Sequence, residues 1–126
     1  MRPARADAAI SAFLPSKDFE LSKRFYEALG FEKTVDGEVA IFKAGNGSFV
    51  LTRQHQPEWD GAFAVACMVD DLDAWWTHIE SLDLPQTFGL AWLPRPPAMQ
   101  PWGLRVAYVC DPGGVLWHFQ QRPKGA

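Results

Sequence analysis

The sequence predicts an α+β fold of two βαβββ modules whose strands curve into a cupped mixed β-sheet. Three observations carry this reading. First, the plan of the chain repeats: an apolar strand, a capped helix and a run of strands occur twice, and Asp18 at the first helix start recurs as Asp71, an offset of 53 residues. Second, 126 residues suit one domain built of two small modules. Third, 48% apolar and 21% charged residues are ordinary for a globular chain, and at this size a core forms without disulfides or metal. The expected organisation is a single domain, 1–126, with module one at about 9–53 and module two at about 62–121.

Module one opens with an apolar strand at 9–14. Pro15-Ser16-Lys17-Asp18 then starts a helix, with Ser16 or Asp18 as the N-cap. The helix is expected over 19–29, where Leu21, Phe25 and Leu29 recur every four residues as a core-facing stripe. Gly30 ends it in the left-handed conformation. Strands are expected at 31–35, 39–44 and 48–53, separated by turns at Asp36-Gly37 and Gly45-Asn46-Gly47. The segment 54–61, with His55, Pro57, Glu58, Trp59 and Asp60, links the modules.

Module two begins with a strand at 63–69. Asp70-Asp71-Leu72-Asp73 caps a helix at 74–81, with Leu72, Trp76 and Ile79 on one side. Trp75 and Trp76 are adjacent, so one of them is expected at an interface or on the surface. Strands are expected at 88–92, 104–110 and 115–120. Four prolines in 92–102 exclude a central strand there and predict a stiff, partly extended loop. Asp111-Pro112-Gly113-Gly114 is a hairpin turn: Asp caps its own backbone, Pro sets φ, and the glycines allow the reversal. The ends, 1–7 and 122–126, are expected to fray.

Composition excludes several function classes. A net charge of −3 and a pI near 5.5 argue against a nucleic-acid surface, which needs a basic stripe. No run approaches the roughly 20 apolar residues of a membrane span, and residues 1–9 lack a signal-peptide core, so a cytoplasmic protein is expected. Cys67 and Cys110, each in an apolar run, read as buried reduced thiols, with a disulfide between adjacent strands left open. His55 and His78 read as solvated.

Phe13-Leu14-Pro15-Ser16-Lys17-Asp18-Phe19-Glu20 and Arg24-Phe25-Tyr26-Glu27-Ala28-Leu29-Gly30-Phe31 closely resemble the first strand and helix of the transposon-type bleomycin resistance proteins. Those proteins form a branch of the vicinal-oxygen-chelate superfamily, with glyoxalase I and extradiol dioxygenases. Pro101-Trp102-Gly103 and the Asp111-Pro112-Gly113-Gly114 hairpin ending in His118 resemble the same branch, and the likeness runs over about 10–121. It implies a glyoxalase/bleomycin resistance-like fold and a homodimer whose interface completes two grooves. The implied function is non-enzymatic binding and sequestration of bleomycin-type glycopeptides. Two alternatives stay open: a binding module for another small molecule, and a metal-dependent lyase or dioxygenase.

The resemblance also tests for metal. The superfamily's enzymes hold one divalent ion with four side chains, and those positions fall here on Ser11, Val50, Ala64 and His118. One imidazole does not supply the donor set of a catalytic ion. No catalytic residue, metal or cofactor is therefore expected. The candidate ligand-binding residues are Trp102, which matches the Pro-Trp-Gly tryptophan of the family's groove, His118 beside it, and the loop tryptophans Trp59 and Trp92. Asp36 and Glu38, together with Glu58 and Asp60, are the acids expected to attract the drug's cationic tail.

Overall fold

The computed structural model describes residue 2, residues 5–90 and residues 92–123. After a short turn at Arg5–Asp7, module one consists of β1 (Ser11–Leu14), α1 (Phe19–Leu29), β2 (Glu32–Asp36), β3 (Ala40–Ala44) and β4 (Gly47–Leu51). Module two consists of β5 (Ala64–Val69), α2 (Leu72–Ser81), a short α3 (Leu84–Phe88), β6 (Arg95–Met99), β7 (Arg105–Cys110) and β8 (Leu116–Gln121). The sheets have the same topology, β1-β4-β3-β2 and β5-β8-β7-β6. In each, the first strand pairs in parallel with the last, and the remaining pairs are antiparallel. The predicted repeat is thus present, as two four-stranded mixed sheets, with one extra helical turn in module two.

Local chemistry sets the elements. Asp18 is the N-cap of α1, and its carboxylate accepts from Leu21 N at 3.1 Å. Asp71 does the same for α2, accepting from Ala74 N at 3.0 Å. Ser16, the other cap candidate, is buried and donates instead to Thr52 O at 2.6 Å, which ties the end of β4 to the start of α1. Gly30 ends α1 with φ 103°, a conformation that disfavours any residue with a Cβ.

One core spans both modules. Tyr26 of α1 packs against Phe42 and Phe49 of the first sheet and Trp117 of the second, while Phe31 meets Trp75 and Trp117. A buried hydrogen-bond chain runs through it. Tyr26 Oη donates to Asp111 Oδ2 and accepts from Trp117 Nε1 at 3.0 Å. Asp111 Oδ1 accepts from the backbone of Gly113 (2.9 Å) and Val115 (2.8 Å). Burial pushes the Asp111 carboxyl above the usual carboxylate range, and it pushes the Tyr26 phenol up further still, so Tyr26 keeps the proton that it donates. The turn itself seats on module one: a Cβ on Gly113 would lie 3.3 Å from Pro15 O.

Several expectations need correction. Residues 95–99 form a strand despite their prolines. It is an edge strand whose register shifts between Arg95 and Ala98, where missing N–H donors are tolerated. The strand expected at 88–92 is not found: Phe88 ends α3, Gly89 turns with φ 63°, and residue 91 lies outside the described residues. Trp75 and Trp76 are both half-buried against the core, so neither is a free surface group. His55 is half-buried, its Nε2 donating to Asp60 Oδ1 (2.8 Å), whereas His78 is solvent-exposed as expected, with its Nε2 donating to Ala28 O (3.0 Å). Arg122 is anchored, by its N–H on Val69 O (2.7 Å) and its Nε on Asp70 (2.7 Å). The remaining expected fraying, at 1, 3, 4 and 124–126, lies outside the described residues. Cys67 and Cys110 are free thiols. Among the described residues no helix is long and apolar enough to cross a membrane.

Candidate functional site

Each sheet turns one face to the core and leaves the other open. Cross-strand partners share a face, so the register reads the open faces directly. On the first sheet Phe13, Val50, Ile41 and Val35 lie in one row across all four strands. On the second, the corresponding row is Ala66, His118, Tyr108 and Arg95. The repeat places an apolar stripe in module one where module two has an imidazole, a phenol and a guanidinium. Phe13 is 66% exposed at the head of its stripe.

Two cavities adjoin the second sheet. The smaller, about 400 Å³, lies over β6–β8 and is lined by Trp92, Arg95, Ala98, Tyr108, Cys110 and Leu116 among others. The larger, about 570 Å³, lies around the end of the β7–β8 hairpin, where Trp92, Cys110 and Leu116 recur as a shared wall. Both fall in the size range of small-molecule sites. The His118 ring meets Tyr108 edge-on, with centroids 4.7 Å apart, and its burial lowers the imidazole below its ordinary value, which favours the neutral ring. Burial pushes the Cys110 thiol up, and Asp111 adds to the effect, so it is a protonated apolar group and a poor nucleophile. The lining mixes aromatic and aliphatic side chains with Lys17, Asp60 and Asp111 in the larger cavity and with Arg95, Gln100 and Tyr108 in the smaller.

The sequence-selected residues do not all converge. Trp92 lines both cavities, and His118 shares the open face through Tyr108. Trp102 stands at the tip of the β6–β7 hairpin, 56% exposed, in a turn closed by Gly103 N on Gln100 O (2.9 Å). Trp59 is half-buried in the linker turn Pro57–Trp59 and packs edge-on against Phe63 at 5.7 Å. Asp36 is held by Lys23 (2.8 Å) and Lys33 (3.0 Å), and these bonds keep its carboxyl below the usual range. Glu38 is exposed beside Arg53, 3.9 Å away. Neither acid lines the cavities. Sequence reasoning missed Tyr108, Arg95 and Leu116. The alternation of β7 and β8 could have found Tyr108 and Leu116, since both share the face of His118, whereas Arg95 was hidden in a segment read as loop.

The metal positions do not fit a catalytic ion. Ser11 Oγ is hydrogen-bonded to Ser48 Oγ (2.5 Å), Val50 and Ala64 offer no donor, and His118 is the one ligating side chain of the four. Among the described residues no three His, Cys, Asp or Glu side chains converge as a metal site.

Comparison with known proteins agrees with this geometry. The Glyoxalase/Bleomycin resistance protein/Dioxygenase superfamily model matches residues 9–119. A bleomycin resistance protein of Klebsiella pneumoniae is 29% identical over 106 residues, covering 82% of this chain and 83% of its own. The crystal structure of a bleomycin-binding protein complexed with bleomycin superposes with a TM-score of 0.77 at 27% identity, covering 92% of this chain and 99% of the other. A lactoylglutathione lyase from Agrobacterium tumefaciens, at a TM-score of 0.66 and 20% identity over 90% of this chain and 93% of its own, shares the fold.

Proposed function

The chain belongs to the Glyoxalase/Bleomycin resistance protein/Dioxygenase superfamily, and we propose that within it this protein binds and sequesters a bleomycin-type glycopeptide antibiotic without turning it over. The observation that carries this reading is the open face of the second sheet. It presents an aromatic-walled cavity, Trp92 and Tyr108 with the neutral His118 alongside, in a chain similar over most of its length to a protein that binds bleomycin. The side chains at the superfamily's metal positions do not make the donor set of a catalytic ion, and the residues of the open face are suited to stack, bury and hydrogen-bond a ligand.

The groove is completed by a second copy. The stripe of Phe13, Val35, Ile41 and Val50 and the exposed indole of Trp102 are apolar surface that a symmetric partner would cover. In this arrangement Trp102 is a stacking residue for the drug's planar rings, Trp59 or Trp92 adds a second platform, and Glu38 and Asp36 set the charge at the rim. The protein acts in the cytoplasm and has no nucleic-acid or membrane partner.

Titration of intrinsic tryptophan fluorescence with metal-free bleomycin tests the reading. Saturable quenching at one drug per subunit is expected. Stacking contributes roughly 0.5–1.5 kcal/mol beyond burial, so Trp102→Ala should weaken binding about tenfold or more with the fold intact. No fluorescence change and no heat at high micromolar drug sinks the proposal. Binding unaffected by Trp102→Ala keeps the function and removes the residue.

A second reading, a binding module for another small molecule, is favoured by one observation. Both Asp36 oxygens are already ion-paired, to Lys23 and Lys33, which leaves this carboxylate less free to meet a cationic tail. A ligand panel in the same assay separates the two.

A further inference from the structure

The open face of the second sheet carries hydrogen-bond donors where the first sheet carries none. At the row that is Val50, Ile41 and Val35 in module one, module two has His118, Tyr108 and Arg95. The three stand on adjacent strands, about 5 Å apart. Arg95 and Tyr108 are cross-strand partners and both line the 400 Å³ cavity, so they address the same space. Among the described residues neither the Arg95 guanidinium nor the Tyr108 hydroxyl has a partner, and the hydroxyl is not sealed from solvent. Lys17, Lys23, Lys33, Arg53, Arg105 and Arg122, in contrast, each meet a carboxylate at 3.9 Å or less.

The charge on this face has one sign. None of the four strands β5–β8 contains Asp or Glu. The sheet's other arginine, Arg105, belongs to the opposite face, where Asp73 of α2 holds it at 2.9 Å. No carboxylate lines the smaller cavity. The two that line the larger one are engaged elsewhere. Asp60 is paired with Lys17 and His55, both at 2.8 Å, and Asp111 is buried under the Tyr26 hydroxyl and the amides of Gly113 and Val115. Arg95 therefore offers a ligand its bonds without first giving up an internal ion pair. A guanidinium with a hydroxyl beside it is a donor set for an oxyanion: the planar fork meets two oxygens at once, and the O–H adds a further bond.

We propose that the cavity over β6–β8 seats an oxyanion of a small organic ligand, a carboxylate, sulfonate or phosphate group, between the guanidinium of Arg95 and the hydroxyl of Tyr108, with Trp92 and Leu116 against its apolar part. The proposal rests on the reading of this face as a small-molecule site and supplies the ligand class for the second reading above. A ligand that also has a cationic end turns that end away from β6.

The test is calorimetric titration of the full chain with two probes on one ring system, 2-naphthalenesulfonate and its neutral sulfonamide. The sulfonate is expected to bind about tenfold more tightly or better, as a charge-assisted bidentate contact allows, and its advantage should shrink as sodium chloride is raised. Arg95→Gln should erase the preference by weakening the sulfonate while leaving the sulfonamide nearly unchanged. Tyr108→Phe keeps the ring beside His118 and should weaken the sulfonate about threefold or more. Lys43→Gln, which removes an exposed cation from the other sheet, should leave the preference as it was. Sulfonamide binding equal to or tighter than that of the sulfonate overturns the proposal. So does a preference that survives Arg95→Gln, or one that Lys43→Gln removes as well. Unchanged sulfonate binding in Tyr108→Phe overturns the shared seat of the two side chains. Equal binding of the two probes keeps the open face as a small-molecule site and removes its oxyanion seat. Failure of both at millimolar concentration overturns the proposal and leaves the small-molecule reading to the ligand panel.

Discussion

Tyr26 is the residue on which the two modules converge. It is fully buried, touches both sheets, and its hydroxyl is at once donor to Asp111 and acceptor from Trp117. Removing that oxygen strands two partners, a buried carboxylate oxygen and an indole N–H. An orphaned buried group costs about 1–3 kcal/mol, and more when charged. Tyr26→Phe is therefore expected to lower stability by about 2–4 kcal/mol, read from the shift in urea midpoint at unchanged slope. A loss below about 0.5 kcal/mol would mean that water or a rearranged Asp111 replaces the hydroxyl. The Phe-Tyr pair stood out in the sequence, but only as a mark of resemblance. Its partner lies 85 residues away, and no local pattern announces a hydrogen bond over that distance.

Among the elements, α1 and α2 are legible in the sequence, whereas the short α3 and the edge strand β6 are not. α1 is bounded by side chains that act within a turn of their own position, Asp18 at its start and Gly30 at its end, so local sequence sufficed. Loss of the Asp18 cap should cost about 1 kcal/mol. Asp18→Ala is expected to lower the thermal midpoint by several degrees while leaving the near-UV spectrum of the core unchanged, and an unaltered midpoint would show that water caps the helix equally well. β6 was read as a loop because prolines remove ladder donors. Whether a segment sits at an edge, where the loss is harmless, is a property of the sheet and not of the segment. Trp75 and Trp76 illustrate the same limit. Helical periodicity forbids two adjacent residues one common contact surface, yet both are partly buried against the core, Trp75 on the rings of Phe31 and Phe119.

On the scale of the whole molecule, the monomer leaves two unlike open faces. One is an apolar stripe headed by Phe13, and the other carries His118, Tyr108 and Arg95. Covering the first is the expected driving force for dimerisation. Light scattering should give about twice the 14.1 kDa chain mass at micromolar concentration. Phe13→Glu, which places a charge in the stripe, should yield a monomer with an unchanged core. A wild-type monomer at that concentration, or a Phe13→Glu protein that still dimerises, would move the interface elsewhere. Loss of bleomycin binding in the Phe13→Glu monomer would show that the groove needs both copies.

The sequence by itself determined the two-module plan, the helix caps and the closing hairpin. Each of these is written in residues that act on near neighbours or recur at a regular interval. It also singled out Trp92 and His118, because an indole in a loop and an imidazole in a strand are conspicuous residue types. Only the tertiary structure decided what surrounds them. It placed Tyr108 beside His118, drew Asp36 into the grip of two lysines, joined Tyr26 to Asp111, and paired Asp60 with Lys17 and His55. Those pairings depend on strand register and on how the modules pack. Both follow from burial of the whole apolar surface at once, a quantity that no local window of residues contains.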